Sequence, residues 1–348
     1  MFIRESWYVA GWASELGSGN IARTVLGEPV LIFRSGDGAA AALLDRCPHR
    51  ALPLSMGDVK RGIVRCAYHG MEFDGTGTCV RIPSQDKIPP SARVRAFPLV
   101  ERNGLLWIWP GDASRADSSK IPDLYWLSHP HWGARGTTFN VKCNWRLIID
   151  NLMDLTHLTF VHGRTIGNAA TIIGAETRAE RAGDASVRVT RWMMNAEPPP
   201  TYIRAGGFTG PVDRWQIINF TLPSLVRIDV GACAAGTGVR EGKRVGGIGM
   251  QNINLITPET ETSSHYFWAQ AHDFSPDEES VTNAIFEEIH RTFMEDVDIF
   301  EAQQHALARD PSRPVVDLAA DRGGVLVRRL IDRALRQEAT AIPLRNVV

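Results

Sequence analysis

The chain has 348 residues, 44% of them hydrophobic and 22% charged, with a formal net charge of -1. That length suits two domains of ordinary globular composition, and the absence of a basic stretch interleaved with aromatics excludes the cationic face that nucleic-acid binding needs. No apolar run approaches the ~18 residues of a membrane span, and "MFIRESWYVAGWASEL" lacks a cationic-then-apolar leader or a small-residue cleavage site, so a cytoplasmic protein without a membrane partner is expected.

In chain order, the first third reads as short strands separated by glycine-containing turns: "EPVLIFR", "AAALLD", "GIVRCAY", "MEFDGTGTCV" and "GLLWIWPG", with "SGDG" and "DGTG" as turn signals. After Pro110 the polar, aperiodic "GDASRADSSKIPD" marks a boundary, giving expected domains over 1–115 and 116–348. A helical stretch follows, "NWRLIIDNLMDLTHLTFVH", and then strand candidates "SVRVTRWMM", "DRWQIINFTL", "LVRIDVGA", "MQNINLITPE" and "TSSHYFWAQAHDF". An amphipathic helix runs from about Ser280 to Ala308, and a last one covers "GGVLVRRLIDRALRQE". The expected class is α+β: an all-β N-terminal domain, then an antiparallel sheet with helices. Glycine-rich "GTGVREG" does not lie between a strand and a helix, so it is a weak nucleotide loop.

Five cysteines in a chain this long do not make a disulfide framework. Cys79, Cys143 and Cys233 stand alone and are expected to be buried thiols. The other two lie in "CPHRALPLSMGDVKRGIVRCAYHG", which spaces Cys47 two residues before His49 and Cys66 three residues before His69. Tetrahedral zinc is one reading, but its usual spacing keeps the cysteines together and the histidines together. One cysteine and one histidine per loop suits a Rieske [2Fe–2S] cluster, in which the thiolates hold one iron and the imidazoles the other. Pro48 would stiffen the first loop, and Gly70 would let the second turn tightly.

"CPHR" followed by "CAYHG" resembles the Rieske non-haem iron oxygenases. With "IDNLMDLTHLTFVH", "VDRWQI", "ITPETETSSHYFW" and "GGVLVRRLIDR", nearly the whole chain is similar to the oxygenase components of vanillate O-demethylase, toluene-sulfonate methyl-monooxygenase and dicamba O-demethylase. The resemblance implies a helix-grip catalytic domain, one [2Fe–2S] cluster, one mononuclear Fe(II) and a homotrimer. It also implies O2 as co-substrate and a separate flavin/ferredoxin-type reductase, for the chain has no flavin or pyridine-nucleotide motif of its own.

Two histidines and a carboxylate with open positions form the facial triad that binds Fe(II). His157 and His162 are the candidate pair. Positions five apart on a straight helix point about 140° from one another, so the helix is expected to end or distort between them. On the helix from Ser280, the stripe Ile285, Ile289, Phe293, Val297 and Phe300 includes Asp296 by helical phase. Glu288, Glu295 and Asp298 are expected opposite it, with Glu287 outside and Glu301 at its margin. A carboxylate on a buried face must be paired or metal-bound, and "MEDVDIFEAQQ" resembles the family pattern at the same residue, so Asp296 is the expected third ligand. Asp154, three before His157, would share its helical face and orient that imidazole. The resemblance further implies that Asp154 couples to His69 of a neighbouring subunit.

The expected reaction is oxidation of a methoxy or methyl substituent of an aromatic acid, with ring dihydroxylation of an aromatic carboxylate as the alternative. Asn219 and Asn254 are the candidate polar anchors in an otherwise apolar pocket. In dicamba O-demethylase a histidine, an asparagine and a tryptophan surround the substrate carboxylate. Asn254 aligns with that histidine and Glu287 with that tryptophan, so the anchoring here departs from that pattern.

Overall fold

The computed structural model describes residues 1–17, 19–162 and 175–341. The chain divides into two compact units: Met1–Asp123 with Thr257–Glu261, and Leu124–Ile256 with Thr262–Val348.

The first unit is all β. Strands β1 (Tyr8–Trp12), β10 (Leu99–Arg102) and β11 (Leu105–Ile108) form one sheet, in the order β1-β11-β10. A second runs β2 (Ile21–Val25), β3 (Glu28–Arg34), β4 (Ala40–Leu44), β9 (Ala96–Phe97), and a third β5 (Asp58–Lys60), β6 (Ile63–Arg65), β7 (Glu72–Phe73), β8 (Cys79–Arg81). The tight hairpins place left-handed residues at Leu26-Gly27, Arg61-Gly62 and Asn103-Gly104, the geometry that follows the right-handed twist of paired strands. Gly62 is doubly constrained, because a Cβ there would lie 1.9 Å from the Gly36 nitrogen. This unit continues past the expected end at 115. Trp7 Nε1 donates to the Asp117 carbonyl at 2.8 Å, and Arg102 donates to the carbonyls of Ser118 and Ile121, tying the polar segment to the strands.

The second unit is a seven-stranded sheet in the order β12 (Gly133–Val141), β18 (Ser264–His272), β17 (Ile248–Pro258), β16 (Leu225–Ala234), β15 (Val212–Thr221), β14 (Ser186–Ala196), β13 (Thr177–Arg181). Strand β12 lacks a clean alternation in sequence, yet it pairs with β18 along its whole length. Register fixes which residues share a face. Val187, Val189, Arg191 and Met193 of β14 lie in rows with Phe220, Ile218, Gln216 and Arg214 of β15. The rows continue through Val226, Ile228, Val230 and Ala232 of β16 to Asn254, Asn252, Met250 and Ile248 of β17.

Helices α1 (Trp145–Leu152), α2 (Pro200–Gly206), α3 (Glu279–Arg309) and α4 (Arg322–Ala341) cover that face. Phe286 of α3 stacks on Trp268 of β18 with ring centroids 5.1 Å apart, and Phe293 stands edge-on to the same ring at 5.0 Å. Burying each such ring is worth about 1.5–3 kcal/mol over leaving it in water. Gly323 opens α4 where a Cβ would meet Val189 Cγ2 at 2.6 Å, so its missing side chain lets the helix close onto β14. Tyr202 of α2 packs with Val212, Ala232 and Ile248. Among the described residues no helix is long and apolar enough to cross a membrane.

Candidate functional site

In the first unit, two loops share one backbone design. Cys47 N–H donates to the Leu52 carbonyl and Ala51 N–H to the Cys47 carbonyl; Cys66 N–H donates to the Met71 carbonyl and Gly70 N–H to the Cys66 carbonyl. The fourth residue after each cysteine is left-handed, Ala51 at φ 59° and Gly70 at φ 70°. Glycine takes that conformation without cost, as expected for Gly70. Ala51 does so despite its Cβ and gave no signal in the sequence. Both cysteines are buried and both histidines exposed. The His49 and His69 rings approach edge to face, centroids 4.4 Å apart. Burial, and then the neighbouring Cys66 sulfur, push the Cys47 thiol up. Two adjacent thiols inside and two imidazoles at the rim form a donor set that fits a Rieske cluster.

The lone cysteines are buried free thiols. Burial and the Glu301 charge push the Cys143 thiol up to about 12.

In the second unit, helix α1 stops at Leu152, before Asp154 rather than between the two histidines. Asp154 is the reason. Its Oδ1 accepts from Thr156 N–H at 2.7 Å and from the Thr156 hydroxyl, and its Oδ2 accepts from His157 N–H at 3.2 Å. An aspartate that satisfies backbone donors ahead of it competes with the helix. Asp154 therefore does not share a helical face with His157, which begins a separate 3-10 turn over His157–Thr159. The turn still holds Asp154 Oδ2 3.5 Å from His157 Nδ1. Burial alone would raise the Asp154 carboxyl, but His157 and the Thr156 donors outweigh it and hold it at about 2.

Asp296 is 4% exposed, on the buried side of α3, while Asp298 faces solvent. Its Oδ1 lies 3.2 Å from His162 Nε2 and 3.9 Å from His157 Nε2, and accepts from Asn151 Nδ2 at 3.2 Å. Ligand atoms of His157, His162 and Asp296 all fall within 4.8 Å of one another. Glu295 corrects the helical-phase expectation: its Oε2 reaches His162 Nδ1 at 2.7 Å rather than pointing away. Burial opposes a proton on His162, but Asp296 and then Glu295, at its two nitrogens, raise its pKa. Each imidazole thus turns Nε2 to one point and Nδ1 toward a carboxylate, as histidines that bind metal do. Two imidazoles and one carboxylate fit a mononuclear Fe(II) centre.

The two asparagines separate. Asn254 shares the helix-covered face, but its amide is committed: Nδ2 donates to the Val226 carbonyl at 3.1 Å and Oδ1 accepts from the Tyr266 hydroxyl at 2.7 Å. Asn219 lies on the opposite face of β15, accepting from Arg188 Nε at 2.9 Å. The Asn254 amide is thus satisfied within the protein at both ends, and Asn219 stands on the other face of the sheet. Glu287 is exposed on α3.

Residues that the sequence reading passed over lie on the same helix-covered face. Arg191 donates to the Leu155 carbonyl, and its Nε has no partner. Burial pulls its guanidinium down to about 10, with the Asp154 charge opposing and the Arg214 charge adding. Gln216 Oε1, Asn252 Oδ1 and Arg214 Nε and Nη1 are also buried without hydrogen-bond partners. Arg191 has a sequence signal: in "SVRVTRWMM" it falls in phase with the inward Val187 and Val189.

Residues 6–98 match the Rieske [2Fe-2S] domain family, and residues 141–337 match the vanillate O-demethylase oxygenase C-terminal domain family. The chain is 40% identical over 341 residues to the toluene-4-sulfonate monooxygenase system iron-sulfur subunit of Comamonas testosteroni, covering 97% of this chain and 98% of that one. It is 38% identical over 346 residues to the vanillate O-demethylase oxygenase subunit of a Pseudomonas strain, covering 98% and 97%. The crystal structure of dicamba monooxygenase bound to 3,6-dichlorosalicylic acid superposes with a TM-score of 0.89 at 34% identity, covering 97% of this chain and 99% of that one.

Proposed function

The chain belongs to the Rieske non-haem iron oxygenases, as an oxygenase component with a vanillate O-demethylase C-terminal domain, and on that premise we propose that it oxidises a methoxy or methyl substituent of an aromatic acid. In this reading Cys47, Cys66, His49 and His69 hold the [2Fe–2S] cluster, and His157, His162 and Asp296 hold the mononuclear iron. When bound, the cluster supplies single electrons and the iron activates O2.

The protein's own groups set the conditions for that chemistry. Glu295 fixes the orientation of His162 through the ring nitrogen turned away from Asp296, and Asp154 holds the His157 backbone N–H with its carboxylate 3.5 Å from that ring's Nδ1. Asn151 holds the Asp296 carboxylate in place. Trp268, Phe293 and Tyr266 bury the flank between α3 and β18 and keep water from it. The observation that carries the reading is the convergence of both Nε2 atoms on Asp296 in a chain that also bears the paired Rieske loops. The reading includes a homotrimer in which Asp154 couples to His69 of a neighbouring chain, and a separate flavin/ferredoxin-type reductase.

The test is turnover with a generic reductase and O2 against methoxy- and methyl-substituted benzoates and benzenesulfonates. Formaldehyde release from a methoxy acid, or an aryl alcohol from a methyl acid, is the expected result. Ring diols as the only products, or no product from the whole panel, would overturn it.

A further inference from the structure

We propose that Arg214 is the anion anchor of the substrate site, holding the carboxylate or sulfonate of the aromatic acid; this rests on the substrate class proposed above.

Arg214 is 7% exposed, on the sheet face that α1, α2, α3 and α4 cover. No carboxylate of a described residue pairs with it, and its Nε and Nη1 are buried without partners. Residues 163–174, "GRTIGNAATIIG", contain no acidic side chain. A buried guanidinium without an anion carries a cost of several kcal/mol, and proteins retain such a group where a ligand answers it. Arg214 is also held ready. Its guanidinium lies over the Tyr202 ring, 4.8 Å from the centroid, and Tyr202 is locked among Val212, Ala232 and Ile248. A planar guanidinium fixed on an aromatic face suits the oxygens of a carboxylate or sulfonate.

The neighbouring rows fit the rest of such a ligand. Gln216 and Asn252 present unmet acceptor oxygens one and two rows on. Arg191, beside Gln216, connects this polar strip to Leu155 and, through charge, to Asp154 next to His157. An acid group at Arg214 would therefore leave the ring to run along the strip toward the His157 side of the face.

The test is calorimetric binding to the purified enzyme, selected for an intact Rieske spectrum, with 4-methoxybenzoate and the neutral 4-methoxybenzamide. Wild type should prefer the acid by about 30-fold or more. Arg214→Gln should bring the ratio near one by weakening the acid alone, and Arg214→Lys should keep part of the preference. Arg188→Gln, on the opposite face, should leave it unchanged. An unchanged acid-to-amide ratio in Arg214→Gln, or equal loss of both ligands, would overturn the anchor and make Arg214 a packing residue. If Arg214→Gln does not fold, Arg214→Lys with wild-type preference does the same. A wild-type enzyme that converts methoxy acids without preferring the charged form overturns the anchor alone. One that neither binds nor converts any aromatic acid overturns the function it rests on as well.

Discussion

The two faces of the seven-stranded sheet treat polar groups in opposite ways. On the face away from the metal-binding candidates, a cavity of about 300 Å³ is lined by Trp126, Trp215, Arg227, Asp229, Arg244 and Gln251, among others. There the charges are answered. Asp229 takes Arg244 at 3.0 Å and Trp215 Nε1 at 2.7 Å, and Arg227 donates to Gln251 at 2.8 Å. On the helix-covered face, Arg214, Gln216 and Asn252 keep buried polar atoms unmet. Buried polar groups ordinarily find partners, so a closed network reads as architecture and an open one as a place for a ligand. The cavity on the face away from the metal-binding candidates is thus not the site that the chemistry favours.

That contrast can be broken or sharpened by substitution. The largest effect is expected at Asp296, where both imidazoles converge. Asp296→Ala should lower iron from about three to about two per chain, two being the Rieske pair, and abolish turnover with the Rieske absorption intact. Asp298→Ala, on the exposed side, should do neither. Equal iron loss in both variants would undo the assignment.

Next is Glu295, whose contact with His162 the helical phase did not foresee. Glu295→Gln keeps a hydrogen-bonding group but removes the charge, and should weaken mononuclear iron binding by about 10- to 100-fold in competition with a chelator. Wild-type iron retention would make the contact incidental.

On the opposite face the expected effect is on stability alone. Asp229→Asn leaves Arg244 without its counter-charge and should cost about 1–3 kcal/mol in urea unfolding. Iron content and the acid-to-amide binding ratio should hold. A changed ratio would mean that the two faces are not separate in function.

The smallest effect is expected at Asn219, whose amide meets only the exposed Arg188 among the side-chain contacts seen. Asn219→Ala should stay within about 0.5 kcal/mol of wild type and leave the Michaelis constant for the substrate unchanged.

The amino-acid sequence by itself determined the features whose causes are local. The spacing of Cys47, His49, Cys66 and His69 lies on two tight turns, so proximity in sequence became proximity in space. The apolar stripe of α3 placed Asp296 inward, because a helix of regular pitch carries its phase from one turn to the next. Short β-prone runs marked β14 through β18 as strands for a like reason, because strand propensity is largely local. Tertiary structure alone decided the rest. Glu295 reaches a histidine 133 positions away in the chain, a contact no local period encodes. Strand β15 carries large apolar side chains on both faces, Trp215 on one and Ile218 and Phe220 on the other. Its pattern cannot tell which side faces the helices, and only pairing with β14 puts Arg214 on the helix-covered face and Asn219 on the other.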